Sequence, residues 1–152
     1  MDEFTQAITD IEKKYEALLK SPKYIMSALP KEIPNAGIYI FSENGLTFYV
    51  GRTDRLPQRL KEQACNDQKK AAFAFLLARE KTGNTKATYK KEGSRKDLLK
   101  QPAFRSAFDD ARQRIRRMEV QFIEEPDPIR QAILEICVFV RKKARYSSFD
   151  NH

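Results

Sequence analysis

Histidine is nearly missing from this sequence: the only one, His152, is the last residue. A histidine-based catalytic triad or a multi-histidine metal site is therefore nearly excluded. Cys65 and Cys137 are the only cysteines, and they lack the CxxC spacing of a zinc site or the numbers of a disulfide framework. Cys137 lies in an apolar run, which predicts a buried small side chain. Any metal would need oxygen ligands, which favours Mg²⁺ or Mn²⁺.

Long apolar runs are also lacking, since none approaches the ~20 residues that a membrane-spanning helix needs. The first residues, MDEFTQAITD, are acidic and polar, unlike a signal or transit peptide. The length of 152 residues suits one domain with a sizeable core. We therefore expect a soluble cytoplasmic protein with no membrane partner.

Positive charge is what the chain has in excess, with 29 basic against 21 acidic residues and a net charge of +8. This balance favours a polyanionic partner, although it is weak evidence by itself. No motif that reads bases is present, so no sequence specificity follows. The alternative is that the basic clusters are solvated faces that keep the protein soluble. The candidate nucleic-acid-binding residues are Arg52, Lys90, Lys91, Arg95, Arg141 and Lys142.

Hydrophobic periodicity and turn signals predict helices and three strands, two of them joined by an Asn44-Gly45 hairpin turn. This order predicts an α+β domain with a small sheet. We expect residues 1–34 to be an N-terminal helical extension packed on a domain of residues 35–152. The predicted helices are 3–20, one beginning near Pro57, 69–82, 95–100, 102–117 and 126–144, and the predicted strands are 36–41, 46–51 and 118–124.

Tyr39 and Tyr49 lie ten residues apart, on the two strands of the predicted hairpin. With a side-chain period of two, they could share one face of the sheet. Gly51 ends the second strand, where a missing side chain would let a backbone or a phosphate approach. Arg59 follows on the next helix. From spacing alone, packing for the tyrosines and solvation for the arginine are the commoner interpretation.

Glu135 interrupts the apolar run from Ala132 to Val140. A carboxylate in this place is expected to be at least half buried, and an unpaired buried carboxylate is destabilising. Two interpretations stay open from the spacing. The carboxylate could border the apolar stripe and pair with Arg141 or Lys142, or it could face the hairpin as a metal ligand.

The pattern GIY, a ten-residue spacing, YVG and then RLPQRL resembles the GIY-YIG nuclease family. The segments FAFLLARE, ATYKKEGSR, RIRRMEV and FIEEPDPIRQAILEI are similar to a stand-alone bacterial branch of it. The resemblance covers roughly residues 35 to 152. It implies a small antiparallel three-stranded sheet flanked by helices.

The resemblance also implies an activity, the hydrolysis of DNA phosphodiesters with one divalent metal, Mg²⁺ or Mn²⁺. It implies that Tyr39 helps to activate the attacking water and that Tyr49 positions water or phosphate. Arg59 would bind the phosphate, and Glu135 would be the one protein ligand of the metal. Gly37 and Gly51 complete the two motifs. No small-molecule cofactor is implied, RNA is not excluded as a substrate, and a homodimer is left open.

Two positions depart from this branch of the family. Gln63 stands where a histidine is expected, four residues after Arg59, and Ser147 stands where an asparagine is expected. Glutamine can hydrogen-bond a water but cannot take its proton at neutral pH. These departures favour an alternative function, a weakened or inactive nucleic-acid-binding module on the same fold. A more distant alternative is a protein-interaction module that uses the N-terminal helix.

Overall fold

A computed structural model of the chain describes residues 1–84 and 95–150, without the side chains of residues 95, 96 and 150. The described chain divides into two compact units. The sheet unit comprises residues 1–59 and 118–152, and the helical unit comprises residues 60–117. The helices are α1 Glu3–Lys20, α2 Leu56–Glu62, α3 Ala72–Thr82, α4 Arg95–Lys100, α5 Pro102–Arg116 and α6 Pro128–Arg141. The strands are β1 Tyr24–Ile25, β2 Gly37–Glu43, β3 Leu46–Thr53, β4 Glu119–Glu124 and β5 Tyr146–Ser147.

The α+β class is confirmed, but the predicted three-stranded antiparallel sheet is wrong. Within the described ranges the sheet has five strands, in the order β1-β4-β2-β3-β5. β5 pairs with β3 in parallel, and the other pairs are antiparallel. The two missed strands have two residues each, which is too short to show a period of two in the sequence.

The β2–β3 hairpin turns as the Asn-Gly pair predicts. Asn44 and Gly45 both have positive φ, 54° and 78°, as a two-residue type I′ turn requires. Beyond the turn, Ser42 pairs with Thr47 while Phe41 pairs with Tyr49. Phe48 is therefore an extra residue on β3, which makes a β-bulge.

The core of the sheet unit lies between the sheet and two helices. Ile38, Ile40 and Val50 pack with Leu134 and Val138 of α6. Three residues of α1, Ile11, Tyr15 and Leu18, belong to the same cluster. The boundary expected between residues 34 and 35 remains a prediction.

The two helices of this core each begin after an aspartate that caps the N-terminus. Asp2 caps α1 by accepting a hydrogen bond from the Thr5 N–H at 2.7 Å. Asp127 caps α6 by accepting from the Arg130 N–H at 2.8 Å. Pro128 follows as the first residue of α6, where its fixed φ suits the first turn.

The helical unit is built on the pairing of α3 with α5. The Phe75 ring lies 5.1 Å from Phe104 and 6.3 Å from Phe108, between ring centroids. α3 ends at Thr82 as predicted, with Gly83 next in the left-handed conformation, while it begins at Ala72 rather than residue 69. No helix in the described ranges is both long and apolar enough to span a membrane.

Candidate functional site

The carboxylate of Glu135 is the most unusual group in the sheet unit, because it is charged and fully buried. Gln131, Leu134, Glu135 and Val138 form the buried face of α6, and the exposed fraction of Glu135 is 0%. Its Oε1 accepts a hydrogen bond from Arg52 Nε at 3.2 Å. Its Oε2 accepts from the backbone N–H of Ser148 at 3.3 Å and also from the Ser148 hydroxyl. The prediction that this carboxylate is at least half buried is confirmed.

Burial dominates the protonation of Glu135. Loss of water raises the pKa of its carboxyl above the ordinary value of 4.5. The Ser148 hydrogen bonds and the positive charge of Arg52 lower that pKa, but they do not cancel the effect of burial. A further positive charge brought to the site would therefore stabilise the ionised form of this carboxylate.

Arg52 is the partner of Glu135, and neither Arg141 nor Lys142 takes that place. Arg52 lies near the end of β3, opposite Ile38 of β2, and its side chain is 39% exposed. Arg141 instead binds Glu12 of α1 through both terminal nitrogens and lies over the Tyr15 ring. The positively charged partner of Glu135 thus comes from the sheet rather than from α6.

Tyr39 and Tyr49 share one face of the hairpin, as expected from their spacing. Tyr39 pairs with Gly51, and Phe41 pairs with Tyr49. The two tyrosine rings are stacked, with centroids 6.1 Å apart and an interplanar angle of 27°. Both residues are buried, with exposed fractions of 1% for Tyr39 and 0% for Tyr49.

Gly51 and Gly37 are needed for close approach, but the approaching groups belong to the protein. A Cβ on Gly51 would lie 2.3 Å from both Cζ and the hydroxyl oxygen of Tyr39. A Cβ on Gly37 would lie 2.0 Å from the carbonyl oxygen of Ile123. The Tyr39 ring therefore lies across β3 at Gly51, and the paired strand β4 approaches β2 closely at Gly37.

The alternation of side chains places the tyrosines and the acidic group on opposite faces of the sheet. Val50 packs with α6, and Arg52, two residues on, reaches Glu135 from the same face. Tyr39 and Tyr49 occupy the other face. The tip of the Tyr39 ring lies against Gly51, which precedes Arg52 in β3. Tyr39 therefore contacts β3 at the residue before Arg52, while Glu135 lies on the other side of the same strand.

Arg59 lies on α2, soon after β3, and is half-buried. Its backbone N–H donates to the Arg55 carbonyl at 2.8 Å within the first turn of α2. Leu56, at the start of that helix, is held to the sheet unit by its N–H, which donates to the Asn35 carbonyl at 2.7 Å. The helix that carries Arg59 therefore follows directly from the strand that carries Arg52.

Gln63 has a structural partner within the helical unit. It is fully buried, and its Oε1 accepts a hydrogen bond from the Phe73 N–H at 3.1 Å. Ala71, the residue before α3, makes no side-chain capping bond. Gln63 therefore satisfies one of the free N–H groups at the start of α3.

Ser148 is the residue of the site that the sequence did not single out. The predicted position, Ser147, is buried in β5 beside Val50, and its Oγ accepts from the Phe149 N–H at 3.2 Å. Ser148 is the one that donates to Glu135. Thirteen residues separate Ser148 from Glu135, so no helical or strand period could have linked them.

The residues fit a single-carboxylate metal site only in part. Within residues 1–84 and 95–150, no three histidine, cysteine, aspartate or glutamate side chains come together as a metal site. Mg²⁺ often takes one or two carboxylates and completes its shell with water and substrate phosphates. A buried carboxylate of raised pKa is a suitable hard ligand, and its lone pairs outnumber the donors that Arg52 and Ser148 supply.

The candidate nucleic-acid-binding residues divide between the described and undescribed parts of the chain. Lys90 and Lys91 lie outside the described residues, as does the side chain of Arg95. Arg52, Arg141 and Lys142 all belong to the sheet unit. Cys137, predicted to be buried, is only partly so, and the apolar surroundings raise the pKa of its thiol.

No family model, curated protein or solved structure matches this chain. The likeness to the GIY-YIG nucleases thus depends on the motif residues themselves. The function is argued from those residues and from their geometry.

Proposed function

We propose that the protein is a metal-dependent DNA endonuclease that hydrolyses phosphodiester bonds at the end of β3. The observation that carries this proposal is the fully buried Glu135 carboxylate, which accepts hydrogen bonds from Ser148 and from Arg52, a residue of the strand that also carries Tyr49 and Gly51. A stable core has little use for a buried carboxylate of raised pKa, because apolar residues of the same volume would be at least as stable. Groups perturbed in this way cluster at functional sites.

The chemistry of phosphodiester hydrolysis matches the groups present. Charge that develops on the phosphoryl oxygens needs fixed positive partners, and a guanidinium supplies two parallel N–H donors. Arg52 and Arg59 provide two such forks on consecutive elements. A divalent ion held by Glu135 would supply Lewis acidity at the phosphate.

Arg52 has a role in the substrate-free protein as well. Its partly exposed guanidinium neutralises Glu135 when no other cation is present. An incoming phosphate competes for the same guanidinium, which turns outward while the carboxylate keeps its Ser148 donors. Arg52 thereby couples the arrival of the phosphate to the release of a carboxylate oxygen.

A nucleic-acid-binding module without catalysis is the second candidate. The burial of Tyr39 and Tyr49 and the structural hydrogen bond of Gln63 favour it. In that case the tyrosines are core residues of the sheet, and the Arg52–Glu135 pair joins the end of β3 to α6. The excess of basic residues serves either function.

Incubation of plasmid and branched DNA with Mg²⁺ or Mn²⁺, against EDTA, tests the proposal. We expect metal-dependent nicking that Glu135→Gln abolishes and that Glu16→Gln, a control at an exposed carboxylate, leaves intact.

We expect Tyr39→Phe to lower the rate by ~10²–10⁴ if its hydroxyl assists proton transfer. Arg59→Lys also loses rate, because a point charge does not replace a fork. Cleavage by folded Glu135→Gln would exclude the metal assignment, and binding without cleavage by the parent would establish the second candidate.

A further inference from the structure

A pocket at the tip of the β2–β3 hairpin has an apolar wall and a basic wall. The hairpin contributes Gly45, Leu46, Thr47 and Phe48, and the end of α6 and the residues after it contribute Arg141, Lys142, Lys143 and Arg145. Its volume is about 490 Å³, within the range of ~300–1,000 Å³ that small-molecule sites have. All eight residues belong to the sheet unit.

The apolar wall is built by an unusual feature of β3. Phe48 is the extra residue of the β-bulge, and bulges redirect side chains out of the regular alternation. Leu46, two residues earlier, is 65% exposed. The half-buried Phe48 ring and the exposed Leu46 side chain give the pocket an apolar wall at the tip of the hairpin.

The basic wall consists of the residues that end α6 and follow it. Lys143 has a φ of 51° and ends α6 in the left-handed conformation, where the Ala144 N–H donates to the Phe139 carbonyl at 3.1 Å. Within the described residues, neither Lys142 nor Lys143 has an ion-pair partner. Arg141, in contrast, is fixed by Glu12 and Tyr15 and forms the rigid side of the wall.

We propose that this pocket holds an unpaired nucleotide, whose base stacks on Phe48 and Leu46 while Lys142, Lys143 and Arg145 bind the flanking phosphates. Combined aromatic and cationic surfaces of this kind bind single-stranded nucleic acid, because every base has a flat face. An acidic peptide could pair with the basic wall, but it would not supply a flat group to stack on Phe48 in the apolar wall.

This inference rests on the proposed function and narrows its substrate class. Arg141 follows Glu135 by six residues, about 9 Å along the helix axis, which is about two to three nucleotide steps. The pocket and the candidate site therefore lie only a few nucleotide steps apart along α6, a separation that one bound strand can span. The substrate would be DNA with an unpaired tail, flap or branch rather than a continuous duplex.

The absence of tryptophan from the chain gives a direct test. Leu46→Trp places the only indole at the pocket, and Ile129→Trp, at a residue 70% exposed on α6, is the matched control. In EDTA, we expect a thymidine decamer to quench the indole of Leu46→Trp and to leave that of Ile129→Trp unchanged. A uridine decamer in a parallel titration distinguishes RNA from DNA as the source of the nucleotide. Equal quenching in both variants, quenching in neither, or quenching by a poly-aspartate peptide instead would overturn the proposal.

Binding to tailed and blunt duplexes provides the second measurement. We expect the parent to bind a tailed duplex about 5- to 50-fold more tightly than a blunt one, and Phe48→Ala or Leu46→Ser to remove that preference. Lys142→Ala with Arg145→Ala should reduce the salt dependence of tail binding by about 0.7 for each lost phosphate contact, unlike Lys13→Ala with Lys20→Ala on exposed α1 positions. Leu46→Ser keeps the test valid if Phe48→Ala fails to fold. An equal affinity for both duplexes would contradict the pocket even if the protein proves to be a nuclease, and a tail preference without cleavage would support it without the nuclease.

Discussion

At the scale of single residues, burial decides what each polar group in the sheet unit can do. Glu135 is fully buried, yet its two oxygens have an arginine and a serine as donors. These partners offset only part of the free-energy penalty of desolvating the carboxylate, and the pKa of Glu135 is therefore raised. The stability of the protein must therefore depend on the protonation of this carboxyl.

Glu135→Gln should change the pH dependence of folding in a direction set by that raised pKa. Between 4.5 and the folded-state pKa, the folded protein binds more protons than the unfolded chain, so the free energy of unfolding falls as pH rises. The contribution is fully present below pH 4.5 and is lost as pH passes the folded-state pKa. Glutamine does not titrate, so the variant should gain stability relative to the parent from pH 4 to pH 8. Urea unfolding in EDTA at several pH values measures this, and a difference independent of pH would contradict it.

Gly51→Ala tests the contact between Tyr39 and β3. The new Cβ would lie 2.3 Å from the tip of a ring that is stacked and buried, so we expect a loss of about 1–3 kcal/mol in the free energy of unfolding. Gly37→Ala should be worse, because the group it meets at 2.0 Å is the backbone carbonyl of Ile123, which cannot turn away. Chemical denaturation of both variants gives the order, and a Gly51→Ala protein as stable as the parent would show that the ring yields.

At the scale of elements, the short ends of the sheet and the helix caps are satisfied from distant parts of the sequence. β5 has two residues, yet its pairing with β3 brings Ser148 to Glu135. α3 begins without a capping side chain of its own and uses Gln63, ten residues before Phe73, from whose N–H it accepts a hydrogen bond. Residues that align with catalytic positions of a family can therefore have structural duties in this chain.

Gln63→Ala should destabilise the helical unit by about 0.5–2 kcal/mol, the usual loss for a removed helix cap. Gln58→Ala, at an exposed position on α2, is the matched control and should change little. Thermal unfolding followed by circular dichroism compares the two. If Gln63→Ala is as stable as Gln58→Ala but alters nucleic-acid binding or cleavage, Gln63 belongs to the site as the family resemblance implies.

At the scale of the whole molecule, the net charge of +8 would attract a polyanion. The charge is spread over both units and over the undescribed segment that contains Lys90 and Lys91. Binding driven by phosphates releases counterions, so its affinity must fall with salt.

We expect the logarithm of the DNA affinity to fall with the logarithm of salt concentration by about 0.9 for each phosphate neutralised. Lys90→Glu with Lys91→Glu should reduce that slope, and Lys13→Glu with Lys20→Glu should not. Anisotropy titrations from low to moderate salt give the slopes. Affinity that does not depend on salt would point to a protein partner rather than a nucleic acid.

Local patterns were sufficient for most of the elements. Apolar spacing predicted α1 with its observed bounds, and Asn44-Gly45 predicted the hairpin turn, because these signals act between residues close in the chain. The burial of Glu135 also followed from its apolar neighbours. The strand pairs β1–β4 and β3–β5 did not, because two-residue strands carry no periodic signal.

Which side chains come into contact depends on the tertiary fold. It paired Glu135 with Arg52 and Ser148, set the tyrosines on the opposite face of the sheet, and placed Phe48 beside the end of α6. Contacts between residues 13 to 83 positions apart depend on how the sheet twists and where helices dock, and no short stretch of sequence contains that information. Local sequence sets the kinds of residues available for chemistry, whereas packing sets their partners, since each buried polar group must find its hydrogen bonds wherever the fold brings a donor.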